Sequence, residues 1–239
     1  MPGSEGARAA RIWELDALRG LCILGMVAVH FVFDLTYFGG LKLQLPAFYL
    51  LIKEYGGILF ILISGICVTL GRRSARRGLI VLAAGMVITA VTAAMWRLGM
   101  AGRSILILFG VLHLLGLCML LYPLYKRLPL PATAALGALL VVLGYYVQTL
   151  RVGTPLLYPL GLRMDGMASS DYFPLLPHMG FFMLGTVLGR TVYREKKTRL
   201  PRVNASAAPI RFLSFCGRQS LWIYLLHQPI LYGIVMLLT

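Results

Sequence analysis

Seven stretches of the chain are apolar over close to the roughly 20 residues a helix needs to cross a bilayer. They cover residues 16–38, 55–71, 78–96, 104–125, 131–149, 172–193 and 212–238. Polar positions fall between them and, sparsely, inside them. Residues 1–14 are small, polar and basic, and are expected to form a flexible cytoplasmic N-terminus ahead of a single transmembrane domain, 15–239. The piece 41–52 is apolar but broken by Pro46 and too short to span, so it is expected to be interfacial or re-entrant. The 150–171 connection is apolar and rich in Pro and Gly, which suits a lid over one mouth of a bundle. The 194–211 connection is basic and holds Pro201 and Pro209, which suits a flexible connector. No internal repeat divides the chain into two related halves. The apolar run after Arg19 continues to Phe38 with no small-residue cleavage site behind it, so it is expected to persist as a span.

Composition agrees with this pattern. Of the 239 residues, 59% are hydrophobic and 13% charged, and mean hydropathy is +0.82. A soluble domain has about 45–50% apolar residues. The expected fold class is therefore an all-α polytopic integral membrane helix bundle with about seven transmembrane helices. The net charge of +15 belongs to the loops. With the N-terminus inside, 14 Lys and Arg residues fall on cytoplasmic segments and 6 on outside ones. This positive-inside bias holds loop by loop and predicts a cytoplasmic N-terminus and an outside C-terminus. It also accounts for the basic balance without nucleic acid, for which no basic-aromatic surface stretch exists. Cys22, Cys67, Cys118 and Cys216 sit in or beside apolar segments with no CxxC pair, and read as packing residues.

Ionisable groups inside a bilayer are costly and usually functional. The first span holds four: Asp16 and Arg19 near one end, His30 and Asp34 towards the other. His30 and Asp34 are i and i+4, on one helix face. A carboxylate beside an imidazole fixes its tautomer and stabilises its cation, as a general base requires. The alternative is a structural pair. Asp16 and Arg19, at i and i+3, are placed to pair with each other, or Arg19 faces an anionic group with Arg72, Arg73, Arg76 and Arg77 as a basic rim. All four histidines, His30, His113, His178 and His227, fall in spans at comparable depth, which suggests a shared polar cavity; the alternative is four core histidines bonded to neighbouring helices. Tyr224 and His227 share a face of the last span. No HxxH or HxxxH pair points to a metal.

Five blocks carry a family resemblance. They are L-D-A-L-R-G-L-C-I-L-G-M-V-x-x-H-F-x-x-D-L (15–35), F-I-L-I-S-G-I-C-V-T-L (60–70), I-L-F-G-V-L-H (107–113), D-Y-F-P-L-L-P-H-M-G-F-F-M-L-G (171–185) and G-R-Q-S-L-W-I-Y-L-L-H-Q-P (217–229). Together they resemble bacterial proteins of the heparan-α-glucosaminide N-acetyltransferase-like family, within a wider group of transmembrane acyltransferases. That group also carries an Arg and a His on its first span, matched here by Arg19 and His30. The resemblance implies transfer of an acetyl group from cytoplasmic acetyl-CoA to a sugar hydroxyl or amine across a bacterial inner membrane. On that reading His30 and Asp34 are catalytic, and Arg19, Arg72 and Arg73 meet the acyl-CoA donor. Asp16, His113, His178, Tyr224 and His227 support the polar cavity. The partners are the lipid bilayer, the acyl-CoA donor and a glycan or other hydroxyl or amine acceptor, with no nucleic acid and no metal; a homo-oligomer is left open. The chain lacks the large luminal domain of the lysosomal enzyme, so its acceptor does not follow from that name. The competing readings are a histidine-lined transporter for a small solute and a non-catalytic envelope protein.

Overall fold

The computed structural model describes residues 11–37, 39–41, 44–100, 102–152, 154–162, 169 and 171–238. Eight α-helices follow in order: α1 Trp13–Tyr37, α2 Ala47–Leu70, α3 Ser74–Arg97, α4 Val111–Tyr125, α5 Leu130–Val147, α6 Leu175–Thr191, α7 Ala208–Arg218 and α8 Ser220–Leu238. Single 3-10 turns lie at Arg103–Ile105 and Pro155–Leu160, and no strand occurs among the described residues. Five helices, α1, α2, α3, α5 and α8, are long and apolar enough to cross a membrane. At 15 and 17 residues, α4 and α6 are shorter.

Four boundaries differ from the hydropathy pattern. Residues 47–52, expected at the interface, are the first turns of α2, which runs on unbroken. Pro46 is extended and sits just ahead of the helix, where its missing N–H costs nothing. The Tyr49 hydroxyl donates to the Val29 carbonyl at 3.3 Å, fastening this start to α1. The fourth segment becomes helical only at Val111. The preceding chain is held in a non-helical path because Thr89 Oγ1 donates to the Ile107 carbonyl at 2.7 Å and Ile107 N–H donates to Thr92 Oγ1 at 3.2 Å. Leu176 interrupts α6 with extended dihedrals (φ −102°, ψ 128°). The seventh segment is two helices, with the break at Gln219.

Glycines set how closely the helices approach. A Cβ on Gly20 would sit 1.9 Å from the Leu213 carbonyl oxygen, and one on Gly217 would sit 1.8 Å from that of Asp16. The backbones of α1 and α7 therefore touch, as small residues permit in membranes. The glycine neighbours also fix relative directions. Gly78 faces Gly116 and Gly85 faces His113, so α3 and α4 are antiparallel. Gly137 faces Gly180 and Gly144 faces Pro177, so α5 and α6 are antiparallel. Gly57 meets Phe173 and Gly65 meets Phe182, so α2 and α6 are parallel. The main core gathers Ile61, Val68, Leu114, Cys118 and Phe182 from α2, α4 and α6.

The two stretches expected to be loose are partly fixed. Glu14, placed in the flexible N-terminus by composition, is only 4% exposed. It accepts from Thr198 Oγ1 at 2.9 Å and Arg199 N–H at 2.7 Å, so it also ties down the 194–211 connection. Tyr158, in the segment expected to act as a lid, is buried and stacks on Tyr172 at 4.2 Å between centroids. The rest of that expectation, at 163–168 and 170, lies outside the described residues, as do residues 1–10.

Replacing Gly217 with Val should lower stability by about 3 kcal/mol, the upper part of the overpacking range. Gly233→Ala, with nothing within 4 Å of its added Cβ, should leave stability unchanged. Thermal unfolding of the two variants in detergent checks the contrast.

Candidate functional site: a polar seam between the first and last helices

Three contacts join α1 to α8 along their length. At one end Arg19 Nη2 donates to Ser220 Oγ at 2.7 Å. Further along, the His30 and His227 rings lie 5.0 Å apart between centroids, tilted by 54°. One turn beyond, Gln228 Nε2 donates to both Asp34 oxygens at 3.1 Å. Residue numbers rise together on both helices, so α1 and α8 run parallel.

The His30–Asp34 pair expected from spacing is not a hydrogen bond. The Asp34 side chain is fully buried and taken up by Gln228. His30 Nδ1 instead lies 3.0 Å from the Met26 carbonyl and 2.9 Å from Met26 Sδ. Neither atom carries a proton, so Nδ1 must be the donor and Nε2 keeps a free lone pair. The tautomer is thus set by the helix's own backbone. His227 has the same arrangement, with Nδ1 2.6 Å from the Tyr224 carbonyl. Its Nε2 is buried with no partner among the described residues. Asp34 accepts instead from Gln228, the residue next to His227.

The four histidines do not share one cavity. His113, 3% exposed, is fully committed. Its Nδ1 accepts from Gly110 N–H at 3.2 Å, and its Nε2 lies 3.1 Å from Thr89 Oγ1, whose proton goes to the Ile107 carbonyl. It caps the start of α4 and leaves no nitrogen for a substrate. His178 Nδ1 bonds the Pro174 carbonyl at 2.8 Å, and its ring packs on Phe173.

Asp171, which spacing did not single out, joins three elements to this region. Its Oδ2 accepts from Val111 N–H at 3.1 Å and from the Tyr224 hydroxyl. An anion is favoured at the helix N-terminus that Val111 begins. Gly110 makes room for it, since a Cβ there would meet Asp171 Oδ2 at 2.0 Å. Burial raises the Asp171 carboxyl above its ordinary range, opposed by the Tyr224 hydroxyl, the Val111 N–H and the His30 imidazole. Tyr224 in turn lies 5.5 Å from His227 between rings. Two i,i+3 positions on α8 therefore connect Asp171 to the histidine pair.

At the other end, Asp16 and Arg19 make no ion pair among the described residues. Arg19 reaches Ser220, lies 5.8 Å from the Phe60 ring centroid, and keeps a buried Nε with no partner there. Arg72 and Arg73 are exposed in the α2–α3 turn. The recess at this end, of about 260 Å³, is instead lined by Thr69, Tyr122, Arg190, Arg194 and Lys196. Among the described residues no three His, Cys, Asp or Glu side chains converge as a metal ion requires.

A family model described as heparan-alpha-glucosaminide N-acetyltransferase, catalytic, matches residues 11–229. The chain belongs to this family. The match takes in every helix down to the first turns of α8 and every residue of the polar seam. No curated protein and no solved structure gives a significant match. Membership makes the chain a membrane acetyltransferase by family.

Asp171→Ala should destabilise the chain by about 1–3 kcal/mol, because it strands the Val111 N–H and the Tyr224 hydroxyl in a buried place. Tyr224→Phe should cost less, and a double-mutant cycle with Asp171→Ala should show coupling of at least 0.5 kcal/mol or so. Thermal or denaturant unfolding measures both; strict additivity would mean the pair does not interact.

Proposed function

We propose that this chain is a membrane-embedded acetyltransferase that takes an acetyl group from acetyl-CoA at its basic end and delivers it to a sugar hydroxyl or amine at the opposite end. The observation that carries this reading is the seam itself. One pair of parallel helices holds an incompletely satisfied arginine at one end and two imidazoles with free Nε2 atoms at the other. Arg19 and His30 are eleven residues apart, about 16 Å along a helix. The pantetheine arm of coenzyme A is an extended chain suited to such a path.

The basic end meets the diphosphate and ribose phosphate. Arg19, with Arg72 and Arg73 on the rim and Arg190, Arg194 and Lys196 around the nearby recess, supplies the charge for them. At the far end His30 Nε2 takes the proton from the acceptor as its oxygen or nitrogen attacks the acetyl carbonyl. The thiol of coenzyme A leaves as that carbonyl re-forms. His30 then gives that proton to the departing sulfur, and His227 Nε2, unprotonated while its Nδ1 donates to the Tyr224 carbonyl, is a second acceptor that can relay it. Asp34 through Gln228, and Asp171 through Tyr224, are positioning residues. His113 holds α4, His178 packs on Phe173 outside the lining, and Asp16 stands at the basic end beside Arg19.

Seven crossings with a cytoplasmic N-terminus fit this scheme. The alternating directions of the helices suit an odd number of layers, with α7 and α8 together as the last. On this reading the basic end faces the cytoplasmic side of a bacterial inner membrane, where acetyl-CoA is made, and the charge bias of the loops supports it.

The test is transfer from labelled acetyl-CoA to a glycan panel by the purified chain. His30→Ala should lower kcat by about 10²–10⁴, the usual worth of a positioned general base. Arg19→Gln should raise KM for acetyl-CoA more than it lowers kcat. Unchanged turnover in His30→Ala would remove the assigned role. Solute uptake into proteoliposomes with no acetyl transfer would favour a transporter instead.

A further inference from the structure

One recess lies outside the polar seam. It has a volume of about 620 Å³ and follows α7, with Trp13 of α1 as its opposite wall. Its α7 wall is formed by Ala208, Arg211, Phe212, Phe215 and Arg218. On a helix Arg211, Phe215 and Arg218 fall at i, i+4 and i+7, so they make one stripe, with Phe212 beside it. Ser214 also lines the recess, its hydroxyl donating to the Trp13 carbonyl at 3.4 Å, while Gly217 is pressed on α1.

Three properties of this recess call for an occupant. Phe212 and Phe215 are 59% and 53% exposed and stand between the two arginines of the stripe. Neither the Arg211 nor the Arg218 guanidinium makes a hydrogen bond or ion pair among the described residues. The nearest acid acting on the stripe is Asp16, which reaches Arg218 only through longer-range attraction and also faces Arg11 and Arg19. The first turn of α7 opens into the recess without a side-chain cap, because Ala207 has no acceptor to offer its N–H groups.

We propose that this recess is a binding site for one anionic glycerophospholipid. Its phosphodiester sits between Arg211 and Arg218, and its acyl chains run over Phe212, Phe215 and Trp13. The charge excludes a zwitterionic lipid as the preferred occupant, because two guanidiniums without a counter-charge favour net negative charge. The aromatic floor excludes a free phosphate, which would leave Phe212 and Phe215 facing water. A recess with cationic rims and an apolar floor in a membrane protein matches the two halves of one lipid. The lipid would fill the space between Trp13 and α7, and so hold the helix pair whose next turn sets Ser220 against Arg19.

The full-length chain in mixed micelles of phosphatidylcholine should gain thermal stability on titration with phosphatidylglycerol, in a saturable manner. R211Q/R218Q should weaken the apparent affinity by about thirty-fold, two charges' worth at an anionic surface. R211K/R218K should keep most of it, which separates lost charge from lost folding. K126Q/R127Q, at a different part of the basic end, should behave as the parent. Equal stabilisation by added phosphatidylcholine would overturn the proposal, as would an undiminished response in R211Q/R218Q. Full stabilisation by glycerol phosphate alone would overturn it as a lipid site. A dimer that buries Trp13 in phosphatidylcholine would assign the recess to a second copy of the chain, and so overturn it too.

Discussion

Everything in this bundle depends on how near α1 can come to the last helix pair. At Gly20 and Gly217 the two backbones touch, and no side chain larger than hydrogen fits either place. In a bilayer there is no hydrophobic drive to press helices together, so packing and polar contacts must hold them. The glycine contact provides the packing. The three polar rungs that follow, Arg19 with Ser220, His30 with His227 and Asp34 with Gln228, provide the rest. Polar atoms on facing helices can bond only at this distance. Moved apart by the width of a methyl group, the Arg19–Ser220 and Asp34–Gln228 bonds would open and leave a half-buried arginine and a buried carboxylate without those partners.

The same logic explains why the site forms where helices break. Unbroken helices satisfy their own backbone and offer nothing to a polar group in lipid. The late start of α4 exposes N–H groups at Gly110 and Val111, and His113 and Asp171 take them up. Asp171 then reaches Tyr224, and through it the histidine pair. The break at Gln219 has a matching effect at the other end. It lets α7 lie close on α1 while α8 starts afresh with Ser220 against Arg19. Each interruption converts unsatisfied backbone into an anchor for a side chain.

Periodicity and hydropathy revealed the elements because span length and apolarity are local properties. The seven apolar segments matched the helices among the described residues to within a few residues, apart from the starts of α2 and α4 and the split of the last segment into α7 and α8. Those three depend on partners elsewhere: Val29 for Tyr49, Thr89 and Thr92 for Ile107, Asp16 for Gly217. The i,i+4 rule put His30 and Asp34 on one face correctly, yet it could not say what else that face would meet. Gln228, 194 positions away, took the carboxylate. His113 shows the same limit from the other side. Its depth in the span suggested a shared cavity, and its actual role is set by Thr89 and a glycine N–H. A signal for Asp171 was present in the sequence, as an acid beside an apolar segment within one of the five family blocks, but its function depends on a helix end that hydropathy does not show.

On the proposed reading, the two imidazoles explain why one histidine would not suffice. In each, Nδ1 is committed to a main-chain carbonyl, so Nε2 alone can do chemistry. A single histidine whose Nε2 held the acetyl group would have no second nitrogen to deprotonate the acceptor. With rings 5.0 Å apart, the tasks divide between His30 and His227. Both cannot be cations at once, because two like charges at that separation in a low-dielectric interior repel strongly. Whichever imidazole takes the acceptor's proton therefore keeps its neighbour neutral. That restriction follows from the 5.0 Å ring spacing and holds for direct transfer and for a route through an acetyl-histidine alike.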